Sequence, residues 1–280
     1  MDQTTCWGST YLMVKHLLDL KDFIFKDIST WMSRHFLKLN LSKTELIVFP
    51  PPRVPSPVLS ITVNGSKIDS SHQARVLGVI LDSELSFQPY IHLLSKSCRL
   101  HLRNISKIRP FLTNDTAKLL IHSLVISRLD YCNSLLVGLP LNRLSPLQSI
   151  MNAAARLIHL SDRSSSASPL CQSLHWLPLA QRIKFKILTI TYKAIHNSAP
   201  TYLTQLISKY HPNRPLRSSQ DLLLSCSLVT SSHKRIQDFS RTSPILWNSL
   251  PKTIRLSPTL SAFRRSLKTH LFREAYSTSS

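Results

Sequence analysis

Glycine is scarce in this chain, with four in 280 residues, and that excludes the Gly-rich loops that cradle nucleotide phosphates. The 14 Asp and Glu residues never stand side by side, so no paired-carboxylate turn is present. The five cysteines, Cys6, Cys98, Cys132, Cys171 and Cys226, are odd in number, far apart and without a Cys-x-x-Cys pair. This argues against a zinc framework and against a disulfide scaffold, and it fits a reducing, intracellular compartment, either nucleus or cytoplasm. Cys171 and His175 have the spacing of two ligands on a helix, but nothing nearby in sequence completes a tetrahedral set. The other histidines are scattered without ligand spacing. No apolar run reaches the length of a membrane span. The first residues lack the basic start, apolar stretch and small-residue cleavage site of a signal peptide.

What is present is positive charge, unevenly placed. The formal net charge is +21. Residues 1–90 are almost neutral, with nine Lys/Arg against eight Asp/Glu. Residues 91–273 carry 26 Lys/Arg against five acids. A long basic segment of this kind fits a polyanionic partner such as nucleic acid. A merely solvated basic surface is the plainer reading, and an anionic membrane surface a weaker one.

Residues 10–36 show helical spacing of Leu17, Leu20, Ile24, Ile28 and Trp31. A polar turn at Asn40–Thr44 follows, then a strand at Thr44–Phe49 that prolines from Pro50 onward interrupt. Val58–Val63 and Ser66–Asp69 flank Asn64-Gly65, the strongest short hairpin signal, and Arg75–Leu81 reads as one further strand. These segments predict a small antiparallel sheet over 44–82. From residue 90 the pattern is helical. Residues 91–109 place Ile91, Leu94, Cys98, Leu102, Ile105 and Ile108 on one stripe and Lys96, Arg99, Arg103 and Lys107 on another. Further helices are predicted from the Asn114-Asp115 pair to about 136, over 144–160, over 178–197 with Arg182, Lys186 and Lys193 on a polar side, from Pro200, and from Ser257-Pro258 onward. In that last helix Arg264, Arg265, Lys268 and Arg273 face water. "SDRSSSAS", 161–168, reads as a linker, and 211–243 as irregular apart from "DLLLSCSLV". Tyr192, Tyr202, Trp176 and Trp247 lie amid aliphatic residues and are expected in the core. The fold class is α+β: a small antiparallel sheet followed by helices.

In combination, these strings resemble a known family. "WMSRHFLKLNLSKTELIVF", "VNGSKI" and "RVLGVILDSELSFQPYI" look like the end of the palm domain of LINE-type, non-LTR retrotransposon reverse transcriptases of the jockey-like branch. "RNISKIRPFLTNDTAKLLIHSLVISRLDYCNSLLVGLP" looks like their thumb. "LHWLPLAQRIKFKILTITYKAIHNSAPTYL" and "LWNSLPKTIRLSPTLSAFRRSLKTHLF" look like the segment that follows it. The resemblance covers roughly residues 22–276. It implies an incomplete palm end over 1–90, a thumb-like bundle over 91–160, the Ser-rich linker 161–168 and a basic helical segment over 169–280.

The family polymerises DNA on an RNA template with two magnesium ions held by clustered carboxylates, including adjacent aspartates. The aromatic-x-Asp-Asp motif, the fingers and the first palm half are missing from this sequence. The expectation is no polymerase activity and no cofactor. Asp82 and Glu84, two apart, are the nearest approach to an acid pair, and the resemblance puts them in a primer-grip region. The resemblance also gives Lys43, in "LNLSKTE", a role beside the outgoing pyrophosphate. Without its reaction partners it is expected to be a vestige and a solvated charge, with Asn40 closing the turn. The thumb holds a template–primer duplex, so Lys96, Arg99, Arg103 and Lys107 are candidates for phosphate contact, with Arg182, Lys186 and Lys193 behind them. The expected partner is RNA or an RNA–DNA duplex, bound without sequence preference. Two alternatives stay open: the tail of an active polymerase cut short, and a domesticated helical interaction protein with no nucleic-acid role.

Overall fold

A computed structural model describes residues 23–50, 58–63, 65–210, 221–226 and 238–277. The chain falls into two compact units, Met1–Ser86 and Phe87–Ser280. The fold is α+β, as the sequence predicts.

In the first unit, residues 23–34 form helix α1. The rest of the predicted 10–36 helix lies outside the described residues. Ile24, Ile28 and Trp31, expected on a packed stripe, are exposed. Asn40 closes the next turn: its Oδ1 accepts from the Ser42 N–H at 3.0 Å and from the Ser42 hydroxyl at 2.6 Å. Strands β1 (Leu46–Ile47), β2 (Ser60–Val63) and β3 (Ser66–Ser71) make one sheet, in the order β1-β3-β2. The β2–β3 hairpin forms where Asn64-Gly65 predicts it, pairing Val63 with Ser66, and Gly65 has φ +79°.

The structure corrects the sheet in two ways. β1 runs parallel to β3, with Leu46 opposite Ser70, so this sheet is mixed and not purely antiparallel. A parallel neighbour needs a long connection and not a tight turn, and β1 and β3 are separated in sequence by the whole of β2. The expected single strand at Arg75–Leu81 is instead a hairpin, β4 (Gln73–Val76) with β5 (Val79–Asp82). Leu77 and Gly78 both take left-handed conformations, φ +48° and +85°, which is the two-residue turn that matches strand twist.

The second unit is helical. Helix α2 (Gln88–Ile108) packs against α5 (Leu141–His159). Its predicted apolar stripe is buried from Ile91 to Ile105, but Ile108 is exposed at the helix end. The predicted 114–136 helix is compound. α3 (Asn114–Ile121) passes into a π-helical turn (His122–Ile126) and then α4 (Ser127–Asp130). Thr113, and not the Asn114-Asp115 pair, caps α3: its hydroxyl accepts from the Thr116 N–H at 3.2 Å. Cys132, in the left-handed region, ends the run before a 3-10 turn, Asn133–Leu136.

The Ser-rich segment 161–168, expected as a linker, lies inside the second unit. Its Ser165 carbonyl accepts from Arg156 Nε of α5 at 2.8 Å, and α6 (Ala167–Ser173) starts within it. Helix α7 (Leu179–Ile195) has proline as its N-cap, and Gln148 Oε1 of α5 serves in place of a cap by accepting the Leu179 N–H at 2.8 Å. A short α8 (Thr201–Thr204) follows Pro200. Leu206, expected inside, is exposed. Residues 239–243, expected irregular, begin α9 (Phe239–Asn248). Then come α10 (Lys252–Arg255) and α11 (Leu260–Tyr276), the last capped by Thr259, whose hydroxyl accepts from the Ala262 N–H at 3.2 Å, and not by Ser257.

The C-terminal half has an aromatic core. Tyr192 stacks on Phe263 at 4.5 Å between centroids, and Trp247 lies 5.6 Å from Phe263. The polar tips are satisfied: Tyr192 donates to the Ser257 carbonyl at 2.9 Å and Trp247 Nε1 to the Leu222 carbonyl at 2.7 Å. Tyr192 and Trp247 are therefore core residues, Trp176 is half-buried, and Tyr202 is exposed against expectation.

Candidate nucleic-acid interface

The second unit carries two cationic regions, each built on a helix with a basic side. The first is on α2. Lys96, Arg99, Arg103 and Lys107 are all exposed, and the helix contains no acidic residue. The row spans about 16 Å at the helical rise of about 1.5 Å per residue. Among the described residues, none of the four enters an ion pair. The opposite stripe fixes the row's orientation. Burial pushes the Cys98 thiol on that stripe up to about 11, which keeps it neutral. Arg99 also borders a 480 Å³ crevice between α2 and α5, together with His92, Ser95 and Arg143.

Beyond the end of α2 sits a residue that no sequence pattern singles out. Arg109 is buried, and each nitrogen of its guanidinium donates a hydrogen bond. Nε donates to the Leu157 carbonyl at 3.0 Å and Nη1 to the Leu112 carbonyl at 2.9 Å. Nη2 donates to the Ile158 carbonyl at 2.8 Å and also to the Asn114 side chain. Leu157 and Ile158 lie in the last turn of α5, where carbonyls lack helical partners and the dipole favours a cation. Arg109 thus anchors the end of the cationic row to the helix beneath it. The only sequence signal was its place before Pro110.

The second region is a cleft of about 720 Å³ among α7, α11 and the α3–α4 segment. Lys186 and Lys193 line it from α7, Arg264 and Lys268 from α11, and His122 from the π turn. Phe185 and Trp176 add half-buried aromatic surface, and the Arg264 guanidinium carbon sits 5.9 Å from the Phe185 ring centroid. Among the described residues one acid borders the cleft, Asp130, and it is already engaged: Arg182 Nη1 donates to it at 2.7 Å. Arg182 Nε donates to the Leu177 carbonyl at 2.8 Å. Arg182 is therefore a half-buried clamp between α4 and α7, its guanidinium held by Asp130 and the Leu177 carbonyl while it lines the cleft. Asn133 is 2 % exposed; its Nδ2 donates to Asp130 at 3.4 Å while its Oδ1 has no partner.

Lys186 and Lys193 thus share one cleft, whereas Lys96, Arg99, Arg103 and Lys107 form a separate outward row. Lys43 stands exposed in the first unit, in the 3-10 turn Leu41–Lys43. Asp82 and Glu84 do not fit a two-magnesium site: Asp82 is buried, and its Oδ1 accepts the Ser86 N–H at 2.8 Å in the turn that leaves β5. Among the described residues no three His, Cys, Asp or Glu side chains gather as metal ligands, and no helix is long and apolar enough to cross a membrane.

No family model matches the chain, and no curated protein or solved structure matches it.

Proposed function

We propose that these residues are the palm end, thumb and following segment of a LINE-type reverse transcriptase, without polymerase activity of their own, and that they bind a template–primer-like duplex through its backbone. The observation that carries the reading is the outward row on α2: four exposed cations in register, no acid among them, and a buried stripe that fixes their direction. Such a row meets phosphates and carries no sequence information, so RNA and RNA–DNA duplexes of different sequence bind alike. Polymerisation needs carboxylates that hold two metal ions about 3.5–4 Å apart, and the sequence supplies no adjacent acids for it.

The test has two arms. With a primed template, deoxynucleotides and magnesium, incorporation stays at the blank. In a binding assay, affinity for a short RNA–DNA duplex is independent of sequence and falls steeply with salt. Magnesium-dependent primer extension would overturn the inactive assignment. A lack of duplex binding at low salt would overturn the binding assignment.

A further inference from the structure

We infer that the cleft among α7, α11 and the π turn is a second binding site, which takes unpaired nucleotides of a single strand and not duplex. The inference rests on the nucleic-acid reading above and adds a site and a ligand form to it. Three observations point there. The first is size and shape. A volume of about 720 Å³ falls within the range of about 300–1,000 Å³ that holds a small-molecule ligand, and a rod-like duplex does not enter a recess between packed helices.

The second is charge. Lys186, Lys193, Arg264 and Lys268 come from two helices, and Asp130, the one acid on the rim among the described residues, is paired with Arg182. Phosphates entering the cleft meet a net positive lining. The third is the combination of aromatic surface with an unmet hydrogen bond. Trp176 and Phe185 offer faces for a base. The Asn133 Oδ1 at the border is buried without a donor, a state that is unfavourable in a protein interior. A small rotation of that amide toward the cleft would meet an amino or imino N–H on the base edge, and such edges are free only in unpaired nucleotides. His122, the first residue of the π turn, reaches the same lining, and π turns are frequent at functional sites.

The experiment compares three labelled probes by fluorescence anisotropy: a ten-nucleotide oligothymidylate, an abasic strand of equal length, and a sixteen-base-pair RNA–DNA duplex. Each is titrated with the intact protein, with Lys186→Glu/Lys268→Glu, and with Lys96→Glu/Arg99→Glu/Arg103→Glu/Lys107→Glu. The substituted lysines of the cleft are surface groups, and circular dichroism verifies the fold. The expected result is a loss of at least about tenfold in oligothymidylate affinity for the cleft variant with duplex affinity within about twofold, the reverse pattern for the row variant, and weaker binding of the abasic strand by about tenfold. Equal loss of both probes in the cleft variant, or no loss of either, overturns the inference. Equal affinity for abasic and base-bearing strands overturns its base contact. If the intact protein binds duplex and no single strand, the proposed function stands and the cleft assignment falls. If it binds neither, both fall.

Discussion

Helices α2 and α7 look alike in sequence and differ in setting. Both alternate an apolar stripe with basic residues three, four or seven apart. On α2 the basic side meets water, and the four cations form an open row. On α7 the basic side meets α11 and the α3–α4 segment, so Lys186 and Lys193 become cleft walls and Arg182 becomes a clamp on Asp130. The same pattern therefore yields an open cationic ridge or a cationic recess, depending on what packs beside it. Exposure sets the energetics as well. In the proposed reading an open row would gain from many weak phosphate contacts that salt screens, and a recess from desolvated ones.

The largest effect that sharpens this contrast comes from Arg109, the one cation near the α2 row that is wholly internal. Arg109→Ala is expected to cost about 3–4 kcal/mol, because charged hydrogen bonds are worth about 1.5–3 kcal/mol each and the α5 carbonyls lose their partner. Urea unfolding of the intact chain measures it. A change below about 1 kcal/mol would mean that the row is not anchored through this residue. Next comes the row itself. Charge reversal at Lys96, Arg99, Arg103 and Lys107 is expected to lower duplex affinity at least about 100-fold and to flatten the plot of log affinity against log salt by about 3–4 units, one counterion for each phosphate contact.

A smaller effect depends on pH and touches the cores beneath both regions. Burial pushes the Cys98 thiol to about 11 and the Tyr90 and Tyr276 hydroxyls to about 12. Their neutral forms are favoured in the fold. Their contribution is complete below the ordinary values of 9.0 and 10.0 and is lost as pH rises toward 11 and 12. The denaturation midpoint is therefore expected to fall progressively above about pH 9. A flat profile between pH 8 and 11 would show that these groups are open to water. The smallest effect is at Lys43. Exposed in its turn, it is expected to be replaceable by alanine with stability unchanged within about 0.5 kcal/mol and duplex affinity unchanged.

Sequence periodicity carried much of this fold because α2, α5, α7 and α11 bury one stripe each, and burial repeats every three or four residues. It failed where backbone geometry leaves no periodic trace. Val79–Leu81 continues the apolar run of Val76–Leu77, so the turn at Leu77-Gly78 was hidden. The π turn at His122–Ile126 shifts the helical face without any marker residue. The row on α2 was legible because its members lie on one helix. The cleft was not, because Asp130, Arg182 and Arg264 come together from distant parts of the chain. That distance also explains Arg182, whose basic character reads as a surface charge until the position of Asp130 is known.

The most direct test of the account is the salt dependence of duplex binding by the intact protein, measured on two RNA–DNA duplexes of unrelated sequence. Four phosphate contacts predict a log–log slope of about −3.6 or steeper and affinities that agree within about threefold. A slope near zero, or a strong preference for one sequence, would contradict it.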